Sequence, residues 1–146
     1  DKIDKFEYLQ NIFSKIHLGD GRILIKNFNT EWNDAVLIKS NEIEFLNDVD
    51  GKKLVGEIIF NFDDIEKFFR YFQIKRNYRD VFETIRLDFV YDLTLDKLTM
   101  NNLRIDNKSS KNIDKFINIY NKNKNNNFNK VTIRNFIKEF FQVYAG

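Results

Sequence analysis

Six apolar side chains, Ile85, Leu87, Phe89, Tyr91, Leu93 and Leu95, alternate strictly with Arg86, Asp88, Val90, Asp92, Thr94 and Asp96. A period of two over that length is a strand with one buried face. A strand buried on one side only belongs to an antiparallel sheet carrying its cover on that side. The run continues into a hairpin over residues 84–105. With Asp96-Lys97 as a two-residue loop, Leu95 faces Leu98 and Leu93 faces Met100, but Tyr91 then meets the polar Asn102. A one-residue bulge at Asn101-Asn102 restores an apolar face, putting Leu103 opposite Tyr91 and Ile105 opposite Phe89.

Upstream, residues 22–62 break into short β-rich pieces, Arg22–Phe28, Asp34–Lys39, Glu42–Leu46 and Lys53–Phe62. The turn formers Asn29-Thr30, Ser40-Asn41 and Asp48-Val49-Asp50-Gly51 separate them, which predicts a meander. In the last piece Leu54, Gly56, Ile58, Phe60 and Phe62 share one face. Before the meander, Ile3, Phe6, Leu9, Phe13 and Ile16 recur at spacings of three and four, predicting an amphipathic helix over 3–16 that ends at Gly19-Asp20-Gly21. Asp63-Asp64-Ile65-Glu66 resembles a capping box with Asp63 as the cap, followed by a helix over 64–75. Stripes through Ile113 to Tyr120 and Ile133 to Tyr144 predict helices over 112–121 and 132–144, joined by an Asn-rich linker at 121–129. The expected fold is a single domain over 1–146 of class α+β, a mainly antiparallel curved β-sheet (meander plus long hairpin) with flanking amphipathic helices.

Composition narrows function by subtraction. The 146 residues hold no Cys and one His, His17, so neither a Cys-based zinc site nor a Cys–His dyad can form. Asp48-Val49-Asp50-Gly51 starts like a calcium loop but lacks the closing Glu, and Gly19-Asp20-Gly21 follows no strand pattern that would make it a dinucleotide fingerprint. Alternating carboxylates, Glu42 with Glu44 and Asp88 with Asp92, fit the polar sides of half-buried strands better than acid–base work. No enzyme, metal or cofactor is expected. The longest apolar run, Ala35 to Ile38, is far short of the ~20 residues that span a bilayer. Phe, Ile, Asn and Lys dominate the chain, and all four share A/T-rich codons, so coding bias accounts for much of the composition.

Net charge is +2, yet residues 107–146 carry eight basic residues against Asp114 and Glu139. Lys111, Lys115, Lys130, Arg134 and Lys138 are therefore candidates for an anionic surface. A solvated Lys-rich face is the plainer account, and nucleic acid is not expected as a partner. The apolar sheet face, through Leu54, Ile58, Phe60, Ile85, Leu87, Phe89, Tyr91 and Leu93, is the candidate lipid-binding surface, provided the helices leave it open.

The string Asp20 to Phe28 (DGRILIKNF), Trp32, and Gly51 to Ile58 (GKKLVGEI) resemble a repeat of AsmA/TamB-type bacterial envelope proteins. Phe89 to Ile105 (FVYDLTLDKLTMNNLRI) is similar to the family's C-terminal strand pair, so this chain is expected to be a fragment or C-terminal region of a longer protein. The likeness covers roughly residues 20–106. It implies a periplasmic domain of an AsmA-like protein, anchored to the inner membrane through a segment absent from this chain. It also implies a part in, or a cap on, a hydrophobic path for lipid transport between membranes, in outer membrane biogenesis. Phospholipid or another acyl-chain ligand would be the partner. The alternatives are a protein–protein interaction module with a fully covered sheet and, behind it, a nucleic-acid-binding domain using the basic C-terminal helices.

Overall fold

The computed structural model describes residues 8–123 and 129–146. Six strands, β1 (Leu9–Gly19), β2 (Arg22–Trp32), β3 (Val36–Asp48), β4 (Gly51–Phe62), β5 (Thr84–Asp92) and β6 (Lys97–Ile105), form one antiparallel sheet in sequence order. Three helices, α1 (Ile65–Phe72), α2 (Lys111–Lys122) and α3 (Lys130–Ala145), complete the α+β fold.

The turns follow from local chemistry. Asp20 and Gly21 both take positive φ, 52° and 71°, between the paired Gly19 and Arg22. That is the two-residue loop whose twist suits a hairpin. Asp48 turns the β3–β4 hairpin by accepting from the Asp50 N–H at 2.9 Å. Asp92 accepts from the N–H groups of Thr94 and Leu95 at 2.9 and 2.8 Å, closing the β5–β6 turn. Between β4 and β5 the chain detours through α1 and a 3₁₀ turn at Arg76–Tyr78, yet the two strands are sheet neighbours.

Several expectations are corrected. Leu9–Gly19 is a strand, not the end of a helix over 3–16; residues 1–7 lie outside the described residues. β1 gains a residue between Gln10 and Phe13, where Asn11 has φ 53°. The spacing of three from Phe13 to Ile16 lies beyond that bulge, so in the strand it joins opposite faces and only imitates a helical stripe. Ser40-Asn41 is likewise an irregularity inside one long strand, because β3 runs unbroken from Val36 to Asp48 with its register shift between Lys39 and Ile43.

The hairpin loop is four residues, Leu93 to Asp96, with Asp92 opposite Lys97. The bulge does fall at Asn101-Asn102, where Asn102 has φ 50°, but Ile105 faces Ile85 rather than Phe89, and Tyr91 faces Leu98 rather than Leu103. The Asp92 carboxylate, by capping two amides, selects the longer loop. The helix cap is Asp64, not Asp63: its Oδ1 accepts from the Lys67 N–H at 2.8 Å. That helix ends at Phe72 rather than 75, since Gln73 turns left-handed at φ 55° and the Ile74 N–H closes on the Phe69 carbonyl. Of the Asn-rich linker, Asn121 and Lys122 belong to α2 and Asn129 caps α3, while 124–128 lie outside the described residues.

The helices lie on one face of the sheet. Phe69 and Phe72 from α1, Ile113 and Ile117 from α2 and Phe140 and Phe141 from α3 bury against Leu87, Met100, Leu103 and Ile105. The contact is aromatic: Phe141 stacks on Phe82 at 5.8 Å between centroids and meets Phe69 edge-on at 5.1 Å. Each fully buried side chain of this kind contributes about 1.5–3 kcal/mol. Trp32, stacked on Phe72 at 5.6 Å, is the only contribution of β2 to that core among the described residues.

Candidate functional site

The strand register sets two apolar rows across all six strands. One is Ile16, Ile25, Ile43, Gly56, Phe89 and Met100; the other is Leu18, Ile23, Phe45, Leu54, Tyr91 and Leu98. Residues directly opposite in a ladder project from the same face, so each row is a continuous band of side chains. Both rows begin under the helices and run out from beneath them. Met100, Phe89 and Leu98 belong to the helix-covered core, whereas none of the row residues from β1 to β4 does. Exposure rises toward β1: Ile23 is 38% exposed, Ile16 69% and Leu18 70%.

Gly56 is the narrow point of this surface. A Cβ there would stand 2.8 Å from the Glu42 carbonyl oxygen and 3.2 Å from Ile43 Cα, so the irregular segment of β3 packs directly on bare backbone. That close approach helps bury Ile43 without any helix above it. Ser40, also buried, donates to the Glu57 carbonyl at 2.5 Å and holds the same kink from the other side.

The eight candidate lipid-binding residues separate into three groups. Ile58, Phe60, Ile85, Leu87 and Phe89 lie in or against the core beneath the helices, Leu87 at only 7% exposure. Leu54 and Tyr91 sit in the row that emerges from the cover, and Leu93 is in the β5–β6 turn, exposed. Tyr91 donates to the Asp96 carboxylate. Burial, then that hydrogen bond and charge, push its phenol up to about 12. The part of the face outside the helix cover consists of exposed Ile16, Leu18 and Ile23, half-buried Ile25 and Phe45, and buried Ile43, which sequence reasoning missed. Their alternation was visible in Ile23/Ile25 and Ile43/Phe45, but bulges in β1, β2 and β3 broke its phase.

The basic candidates do not converge. Lys111 and Lys115 are exposed on α2; Lys138 is half-buried on α3; the Arg134 guanidinium lies 5.4 Å over the Tyr71 ring. Lys130 begins α3. The carboxylates at Glu42 and Glu44 face the opposite side of the sheet, beside cations. Glu44 takes two hydrogen bonds from Arg22, at 2.7 and 2.9 Å, and Glu42 lies 3.5 Å from Lys26. Asp88 accepts from Asn102 at 2.7 Å. His17 is exposed on that face. Among the described residues no three His, Cys, Asp or Glu side chains gather as a metal set. A hollow of about 220 Å³ lies between β6 and the helices, lined by Leu103, Ile105, Lys108, Ser110, Ile113 and Tyr144. No described helix is long and apolar enough to cross a membrane.

No family model, no curated protein and no solved structure matches this chain.

Proposed function

We propose that the chain is a non-enzymatic domain of an AsmA-like envelope protein that contributes to, or caps, a hydrophobic path for lipid transport between membranes. The observation that supports this reading is the pair of apolar rows that leave the helix cover and end at exposed Ile16 and Leu18. A soluble domain ordinarily covers such a face. Left open, it offers an acyl chain a band of Ile, Leu and Phe side chains running perpendicular to the strands, with no charged group in either row. Binding there is reversible and additive, about 0.8 kcal/mol for each methylene taken out of water. The sequence likeness to AsmA/TamB repeats over residues 20–106 points the same way, and with it the reading takes the domain as periplasmic, near a membrane.

Methyl-resolved NMR with a short-chain phospholipid below its micelle concentration tests the site. The expected shifts fall on Ile16, Leu18, Ile23, Ile25, Ile43 and Leu54 and spare Ile113 and Ile117. Shifts confined to the α2 surface around Lys111 and Lys115, or none at saturating lipid, would defeat the proposal.

A further inference from the structure

The two edges of the sheet are finished differently. At β6, the Asn121 side chain from α2 takes up both the N–H and the carbonyl of Met100, and the Ile105 N–H is bonded to the Lys108 carbonyl at 2.9 Å. At the other edge, nothing among the described residues pairs with the outer side of β1. Edge strands in soluble proteins are commonly protected by charge, proline or a bulge. Leu9–Gly19 has no proline, one charged residue, Lys15, and register shifts against β2 only between Gln10 and Lys15, which leaves Lys15–Gly19 in regular pairing. Three apolar side chains, Ile12, Ile16 and Leu18, are more than half exposed along it.

We propose that β1 pairs antiparallel with β1 of a second copy of this chain, about a two-fold axis at Ile16. Because the β6 edge is already occupied at Met100 and Ile105, adding β1 of another copy there would break those bonds, so edge pairing is isologous and stops at two. A two-fold axis normal to the sheet keeps like faces on the same side, and the apolar rows of both copies join into one surface. In this register Ile16 meets Ile16 of the second copy and Ser14 meets its Leu18. On the opposite face Lys15 lies across from His17 of the second copy, so the strand's one charged residue avoids its own counterpart. A register centred one residue earlier would set Lys15 against itself.

Sedimentation velocity of delipidated protein tests this pairing independently of the acyl-chain reading. Wild type is expected to be dimeric at about 100 µM, and Ile16→Lys and Ile16→Glu each to raise the dissociation constant by roughly tenfold or more. Mixed in equal amounts, the two variants are expected to regain a dimer, since opposite charges then face each other at the axis. Ile119→Lys, at an exposed position on α2, is the control that leaves the dimer intact, and unchanged thermal unfolding confirms that the Ile16 variants fold. A monomeric wild type at that concentration, as expected if β1 instead receives a strand from another protein, overturns the proposal. So does a dimer that survives both Ile16 variants, or a variant mixture that stays monomeric.

Discussion

Asn121 closes the outer edge of β6 on Met100: its amide donates to the Met100 carbonyl at 2.7 Å and accepts from the Met100 N–H at 3.0 Å. A side-chain amide thus stands in for a seventh strand at one position and ties α2 to the sheet. The arrangement also makes the two edges inequivalent: β6 is occupied at Met100, whereas no described residue pairs with the outer side of β1.

Asn121→Ala is expected to destabilise the domain by about 1–3 kcal/mol, the cost of leaving the two partly buried peptide groups without partners. Urea unfolding measures this. Hydrogen exchange at the Met100 amide should accelerate, while the amides of β4, in the middle of the sheet, keep their protection.

Gly56→Ala is expected to cost about 1–3 kcal/mol, because the added methyl collides with the backbone at Glu42 and Ile43, which cannot swing aside like a side-chain tip. Thermal unfolding checks the loss. Chemical-shift changes should concentrate at Ser40 to Ile43, where β3 would have to lift.

The Arg22–Glu44 pair has a pH signature. The hydrogen bond from Arg22, aided by its charge and opposed by desolvation, holds the Glu44 carboxyl below the usual carboxylate range. A carboxyl whose folded value is depressed adds stability above its unfolded value, and that stability is lost as pH falls through the folded one. An NMR titration should therefore show Glu44 protonating late on acidification, and Arg22→Ala should return its midpoint to the ordinary range. Both residues are solvent-accessible, so added salt is expected to weaken the effect.

What the sequence revealed depended on whether periodicity stayed in phase. Ile85 to Tyr91 alternates without interruption and reads directly as β5. The helices α2 and α3 were legible from their stripes because nothing interrupts a helix between caps. Leu9 to Ile16 misled because apolar side chains occupy both faces of β1: Phe13 and Ile16, three apart, match a helical stripe but lie on opposite faces of the strand. The kink at Lys39–Ile43 places the turn formers Ser40-Asn41 inside one strand, so that strand read as two.

The candidate site was half legible. Leu54 and Tyr91 were found from their own alternation, but Ile58, Phe60, Ile85, Leu87 and Phe89 have identical patterns and lie under helices. Which part of an apolar face is covered depends on where the helices dock, a tertiary fact that no local pattern carries. Asn121 gave no signal at all, since an Asn inside an Asn-rich stretch looks like any other.

Native mass spectrometry of the domain purified without detergent, with extraction of whatever is bound, tests the central claim most directly. Phospholipid is expected to co-purify with wild type and to be lost in Ile23→Asp, with thermal unfolding unchanged because Ile23 is partly exposed and outside the helix-covered core. A wild-type protein that carries no lipid and gains none when phospholipid is added, or an Ile23→Asp variant that retains it fully, would contradict the account.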